Sequence, residues 1–156
     1  MTRGKGEPEV VRQIHIDAEP ATVFSLLTEA GRMTAWLAEI VVAEPVPGGT
    51  FRISEAGGLT IEGKYLEVVP NRRVVFSWGG IEGLSPGETV VDITLEAAGE
   101  GTLVTLRHYG LPARSIESHD MGWQRSALPK LKAAAEGRDP GGLCLGDLAH
   151  VQAARR

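Results

Sequence analysis

From Ala38 to Tyr109 apolar side chains return at every second position, one short segment after another. "GGTFRIS" sets Phe51 and Ile53 on one face, and "RRVVFSW" does the same for Val74, Phe76 and Trp78. "TVVDITLEA" aligns Val91, Ile93 and Leu95, and "TLVTLRHYG" aligns Val104, Leu106 and then His108. A period of two is the signature of a strand with one buried face, and its repetition predicts an antiparallel sheet whose other face is wet. The breaks fall where strands must stop. "EIVVAEPV" ends at Pro45 and Pro47, "LTIEGKYLEVVP" at Pro70, "GGIEGLSPGE" reads as a loose Gly-rich loop, and "GEG" as a hairpin turn.

A sheet with a single apolar face needs a cover. "EVVRQIHIDAEP" reads as one more strand, with Ile14 and Ile16 on a common face and His15 opposite them. "PATVFSLLTEAGRM" reads as a helix with Pro20 in its first turn and Val23, Phe24, Leu27 and Ala30 as its stripe. "RMTAWL" follows as a short second helix. The main cover is the helix expected from Ser118 to Gly137, with Trp123, Ala127, Leu128, Leu131 and Ala134 or Ala135 at helical spacing. It contains Gly122 and Pro129, which cost roughly 1 and 3 kcal/mol in a helix interior. Both fit a lid bent over a pocket: Gly122 allows close approach, Pro129 supplies the bend, and Leu128 is pushed from helical angles. The order defines an α+β chain with about six to seven strands, two short helices after the first strand and a long C-terminal helix. Residues 8–137 form one domain, and "RDPGGLCLGDLAHVQAARR" opens a loop and a short or poorly ordered tail over 138–156.

The chain has 156 residues, enough for one domain with a real core. Its net charge of −4 and scattered Lys and Arg argue against a nucleic-acid groove. Its start lacks the apolar core of a signal peptide and no apolar run approaches a membrane span, so a cytoplasmic protein is expected. Cys144 is the sole cysteine, which rules out an internal disulfide.

The stretches "IDAEPATVFSLLTEAGRMTAWL", "PGGTFRI", "GKYLEVVPNRRVVFSW", "GTLVTLRHYGL" and "HDMGW" occur in an order that resembles the SRPBCC superfamily. More closely, they are similar to bacterial proteins related to the C-terminal domain of the activator of the Hsp90 ATPase. The resemblance runs from Val10 to Glu136. It implies the START-like helix-grip fold, a curved antiparallel sheet wrapped around a long C-terminal helix with a cavity between them. Functions in that superfamily include lipid and hormone binding, cyclisation, hydrolysis and co-chaperone action, so the fold does not select one. Two features depart from the pattern: Trp36 is followed by Leu37 where a second aromatic is usual, and Pro129 is local to this chain.

"GLTIEGKY" has P-loop spacing from Gly58 to Lys64, but Tyr65 replaces the magnesium-binding hydroxyl and the stretch runs into a strand rather than a helix. Gly63 is better explained as a bulge or bend. His15, His108, His119, His150 and Cys144 show no metal-ligand spacing, and no cofactor is expected. His108 extends the inward face of its strand and His119 precedes Trp123, so both can serve as acid or base at a cavity mouth, although no carboxylate partner is evident. Plain burial against a carbonyl is the competing role. Trp36, Trp78 and Trp123 each fall where a helix meets the sheet, with Phe51, Tyr65, Phe76 and Leu106 as further walls.

Three functions follow. The first is binding of a small apolar, aromatic or lipid-like molecule by Trp36, Phe51, Tyr65, Phe76, Trp78, Leu106, His108, His119 and Trp123. The second is a cyclase, hydrolase or dehydratase in the same cavity, which requires a buried polar pair. The third is a chaperone-associated or stress-related interaction module, which requires a filled cavity and an exposed apolar patch. A free sheet edge would also permit a homodimer.

Overall fold

The computed structural model describes residues 9–146. His150 and the rest of the tail from 147 onward lie outside the described residues. The elements are β1 (Glu9–Ile16), α1 (Pro20–Thr28), α2 (Ala30–Met33), β2 (Ile40–Ala43), β3 (Thr50–Ser54), β4 (Thr60–Val69), β5 (Arg73–Trp78), β6 (Thr89–Ala98), β7 (Gly101–Tyr109), α3 (Ala113–Gly122), a π-helical turn (Trp123–Ala127) and α4 (Leu128–Ala135). The seven strands form one antiparallel sheet in the order β1-β7-β6-β5-β4-β3-β2. β1 and β2 are its edges, and the last helix crosses the apolar face.

The period-two pattern places Phe51, Ile53, Ile61, Tyr65, Val74, Phe76, Val91, Ile93, Leu95, Val104 and Leu106 in the core. Two features of the sheet differ from a simple wet-backed one. β5 is buried on both faces, Val75 and Ser77 included, and Ser77 Oγ accepts the Lys64 N–H at 2.9 Å. β4 is bent: its bulge falls between Tyr65 and Glu67. Gly63 is instead a point of close approach, since a Cβ there would sit 1.9 Å from the Ser77 carbonyl oxygen.

The long helix begins at Ala113 rather than Ser118, with Pro112 at its N-cap and no side-chain cap. Trp123 is therefore in its middle. Leu128 keeps helical angles (φ −65°, ψ −43°), and its N–H reaches the Trp123 carbonyl five residues back. The chain accommodates Pro129, which has no N–H, at the start of α4, directly after this widened turn. In α1 the buried residues include Leu26 and Leu27, while Phe24 is half-buried. The Gly-rich loop is not loose. Ile81 and Leu84 are buried, and its turn is closed by bonds from Gly80 N–H to Leu84 C=O and from Leu84 N–H to Ile81 C=O. After Gly137 the chain turns back onto the core. Cys144 and Leu145 are buried, and their N–H groups bond the carbonyls of Trp36 and Leu37 at 2.9 and 2.8 Å.

Candidate functional site

Three strand ends and the middle of the long helix meet beneath the helix. Trp78 closes β5 and faces Thr89, the first residue of β6, across the ladder. His108 lies near the end of β7, opposite Val91. His119 and Trp123 are four residues apart on the helix and so project from the same face. The four rings pack edge-on or tilted: Trp78 to Trp123 at 5.2 Å, His108 to His119 at 5.1 Å, Trp78 to His108 at 5.7 Å, centroid to centroid.

Every ring nitrogen in this cluster has a partner, and the partners fix the tautomers. Trp123 Nε1–H donates to His108 Nδ1 at 3.0 Å. His108 must therefore carry its proton on Nε2, which donates to Thr89 Oγ1 at 2.8 Å, while Thr89 donates onward to the Trp78 carbonyl at 2.8 Å. Trp78 Nε1–H points to His119 Nε2 at 3.3 Å. His119 then carries its proton on Nδ1, between the Ser115 carbonyl at 2.9 Å and the Glu82 carboxylate at 3.2 Å. Burial holds His108 well below the usual imidazole range, and the neighbouring His119 adds to the effect. Burial also lowers His119, against the Ser115 carbonyl and Glu82. Both rings are thus neutral, each turning a lone pair toward an indole N–H.

Glu82 is the member that spacing did not suggest. It comes from the β5–β6 loop, adopts a left-handed φ of 51°, and accepts a second bond from Ser118 Oγ at 2.8 Å. The other expected residues separate by role. Phe51 and Phe76 stack at 4.1 Å next to Trp78. The Trp36 N–H and the Tyr65 hydroxyl bond the carbonyls of Leu26 and Leu27 at 3.0 and 3.1 Å, so both satisfy the last turn of α1. Burial pushes the Tyr65 hydroxyl up. Leu106 is fully buried but borders neither of the voids described next.

The ligand-sized cavity expected under the helix is not open among the described residues, because side chains fill that space. Two voids of about 10 Å³ each border these rings. One lies among Trp78, His119, Gly122, Trp123, Ala127 and Cys144. The other lies among Leu27, Met33, Trp36, Phe51, Phe76 and the same two indoles. Trp78 and Trp123 border both, and Cys144 of the returning tail lines the first.

Elsewhere, Glu39 and Glu55 shift each other in opposite directions, Glu39 being lowered by its hydrogen bond with Glu55. Glu55 is pushed up to about 7, first by burial and then by its hydrogen bond with Glu39. Among the described residues no three His, Cys, Asp or Glu side chains converge as metal ligands, and no helix is long and apolar enough to cross a membrane.

This arrangement of helix, sheet and buried polar rings defines a helix-grip domain of the SRPBCC type. The chain belongs to the family of activator of Hsp90 ATPase homolog 1-like proteins, whose pattern matches residues 17–136. Among solved structures, an AHSA1-like protein from Rhizobium etli is 37% identical, with 86% of each chain covered and a TM-score of 0.68. The Aha1 dimer from Colwellia psychrerythraea is 24% identical over 83% of this chain and 96% of that one, with a TM-score of 0.72. DynU16, from the dynemicin biosynthetic locus, is 21% identical with a TM-score of 0.74; the match covers 85% of this chain but 49% of that one. No curated protein matches in sequence.

Proposed function

We propose that the protein binds a small, largely apolar aromatic molecule between the long helix and the sheet, with Trp123 as the movable wall. The observation that carries this is the shared border: Trp78 and Trp123 border both voids, so displacement of one indole joins them into a ring-sized space. Trp78 is fixed in a central strand, whereas Trp123 opens the π-helical turn, a local irregularity often found at functional sites. The walls are apolar with a few fixed polar atoms, as in small-ligand pockets generally. Native mass spectrometry of freshly purified protein tests it. A small-molecule adduct lost in Trp78→Ala is expected; its absence, with no shift of tryptophan emission across a panel of bicyclic aromatics, would sink the reading.

One contact favours a second function in the same place. Glu82 orients His119 much as a carboxylate orients a general base, which suits an acid–base enzyme. Turnover of a captured ligand, abolished in Glu82→Gln with binding retained, separates enzyme from binder. The filled interior meets one requirement of an interaction module, and among the described residues with exposed large apolar side chains Val11 stands alone on β1, whereas Ile40, Val46 and Leu66 belong to the β2–β4 side of the sheet. The free edges β1 and β2 suit a homodimer, and sedimentation velocity tests for one.

A further inference from the structure

We propose that the guest is an uncharged ring bearing a hydrogen-bond donor, an aromatic O–H or N–H, which takes over the bond that Trp123 now makes to His108 Nδ1. The inference rests on the binding function proposed above and names its ligand class. His108 is wholly buried and has no freedom to adapt to another guest. Its Nε2–H is committed to Thr89, and Thr89 is committed in turn to the Trp78 carbonyl. Reversing the tautomer would turn the Thr89 hydroxyl toward Nε2 and take its donor from the buried Trp78 carbonyl, so the arrangement that keeps all three bonds leaves Nδ1 an acceptor. When the Trp123 indole leaves, that lone pair loses its donor at 3.0 Å. A buried acceptor left unmade is penalised, and a guest that restores the bond avoids the penalty.

The same geometry rejects other classes. A carboxylate would set its charge against the lone pair of His108, with the Glu82 carboxylate held nearby on His119. A plain hydrocarbon fits the walls of Phe51, Phe76 and Trp78 but leaves Nδ1 unpaired. Discrimination between donor and non-donor analogues is strong where a site's buried polar group would otherwise be orphaned.

The test compares 2-naphthol, naphthalene and 2-naphthoate by tryptophan fluorescence titration of the full chain at pH 7.5. We expect 2-naphthol to bind about tenfold or more tighter than naphthalene, and naphthoate to bind weakest. His108→Phe should bring naphthol and naphthalene to equal affinity. Equal affinity in the unaltered protein, or tightest binding of naphthoate, overturns the donor rule while leaving the binding function standing. Binding of none of the three overturns both. Since His108→Phe can fail to fold, Trp123→Ala gives an independent measurement. Indole should raise its melting temperature more than benzothiophene, which lacks the N–H, and equal shifts would refute the assignment.

Discussion

At the scale of single residues, a chain of donors and acceptors holds the interior in one arrangement. Thr89 is its pivot, accepting from His108 and donating to Trp78. Thr89→Val keeps the shape but strands the His108 Nε2–H, and should cost about 1–3 kcal/mol in urea unfolding. Tyr65→Phe removes a bond to the end of α1 and should cost about 1 kcal/mol while leaving aromatic-ligand affinity unchanged. The titrations have opposite signs. His108 and His119 have depressed folded pKa values, so below about pH 6.5 the unfolded chain takes up protons that the native state refuses. Stability then falls with acid, by up to about 1.4 kcal/mol per pH unit for each ring. Glu55, raised to about 7, contributes stability that is present at low pH and is lost as pH rises through 7. Glu55→Gln should therefore steepen the loss between pH 7 and 5, read from chemical denaturation at each pH. The inward direction of His108 was legible from the period of β7. Its neighbour's carboxylate was not, because Glu82 reaches His119 from a separate loop through a backbone conformation that no local pattern encodes.

At the scale of elements, the strands were legible nearly to their ends, because alternation, proline stops and the Gly99–Glu100 hairpin all agree. The long helix was legible in its apolar stripe and not in its start. Pro112 provides no side-chain cap, so no Ser, Thr, Asp or Asn marks the first turn. Its irregularity was foreseen at Pro129 but took another form. Instead of a non-helical Leu128, the backbone widens over Trp123–Ala127, and Trp123, Ala127 and Leu128 all keep helical angles. The glycine in β4 was foreseen as a bend and acts as a contact. Gly63→Ala would drive a methyl into the Ser77 carbonyl, forcing β4 from β5 at a cost of about 3 kcal/mol, measurable as a drop in melting temperature.

At the scale of the whole molecule, the fold class followed from element order alone, since one apolar sheet face, two short helices and one long helix leave few ways to close a core. What order could not convey was closure. The segment beyond the long helix opens with Asp139-Pro140-Gly141-Gly142, a loop signal that says nothing of where the chain goes next; Leu145 is fully buried, and Lys130 Nζ donates to the Pro140 carbonyl at 3.1 Å. Leu145→Ala should cost roughly 3 kcal/mol and increase binding of a dye for exposed apolar surface. This return of the chain lies past the 17–136 span that the family shares. The residues that bring Cys144 and Leu145 onto Trp36 and Leu37 thus follow the sheet and the long helix in sequence rather than interrupting them. Under the binding function proposed above, changes within residues 138–146 would alter the surroundings of His119 and Trp123 through Cys144 without touching the sheet or its helix.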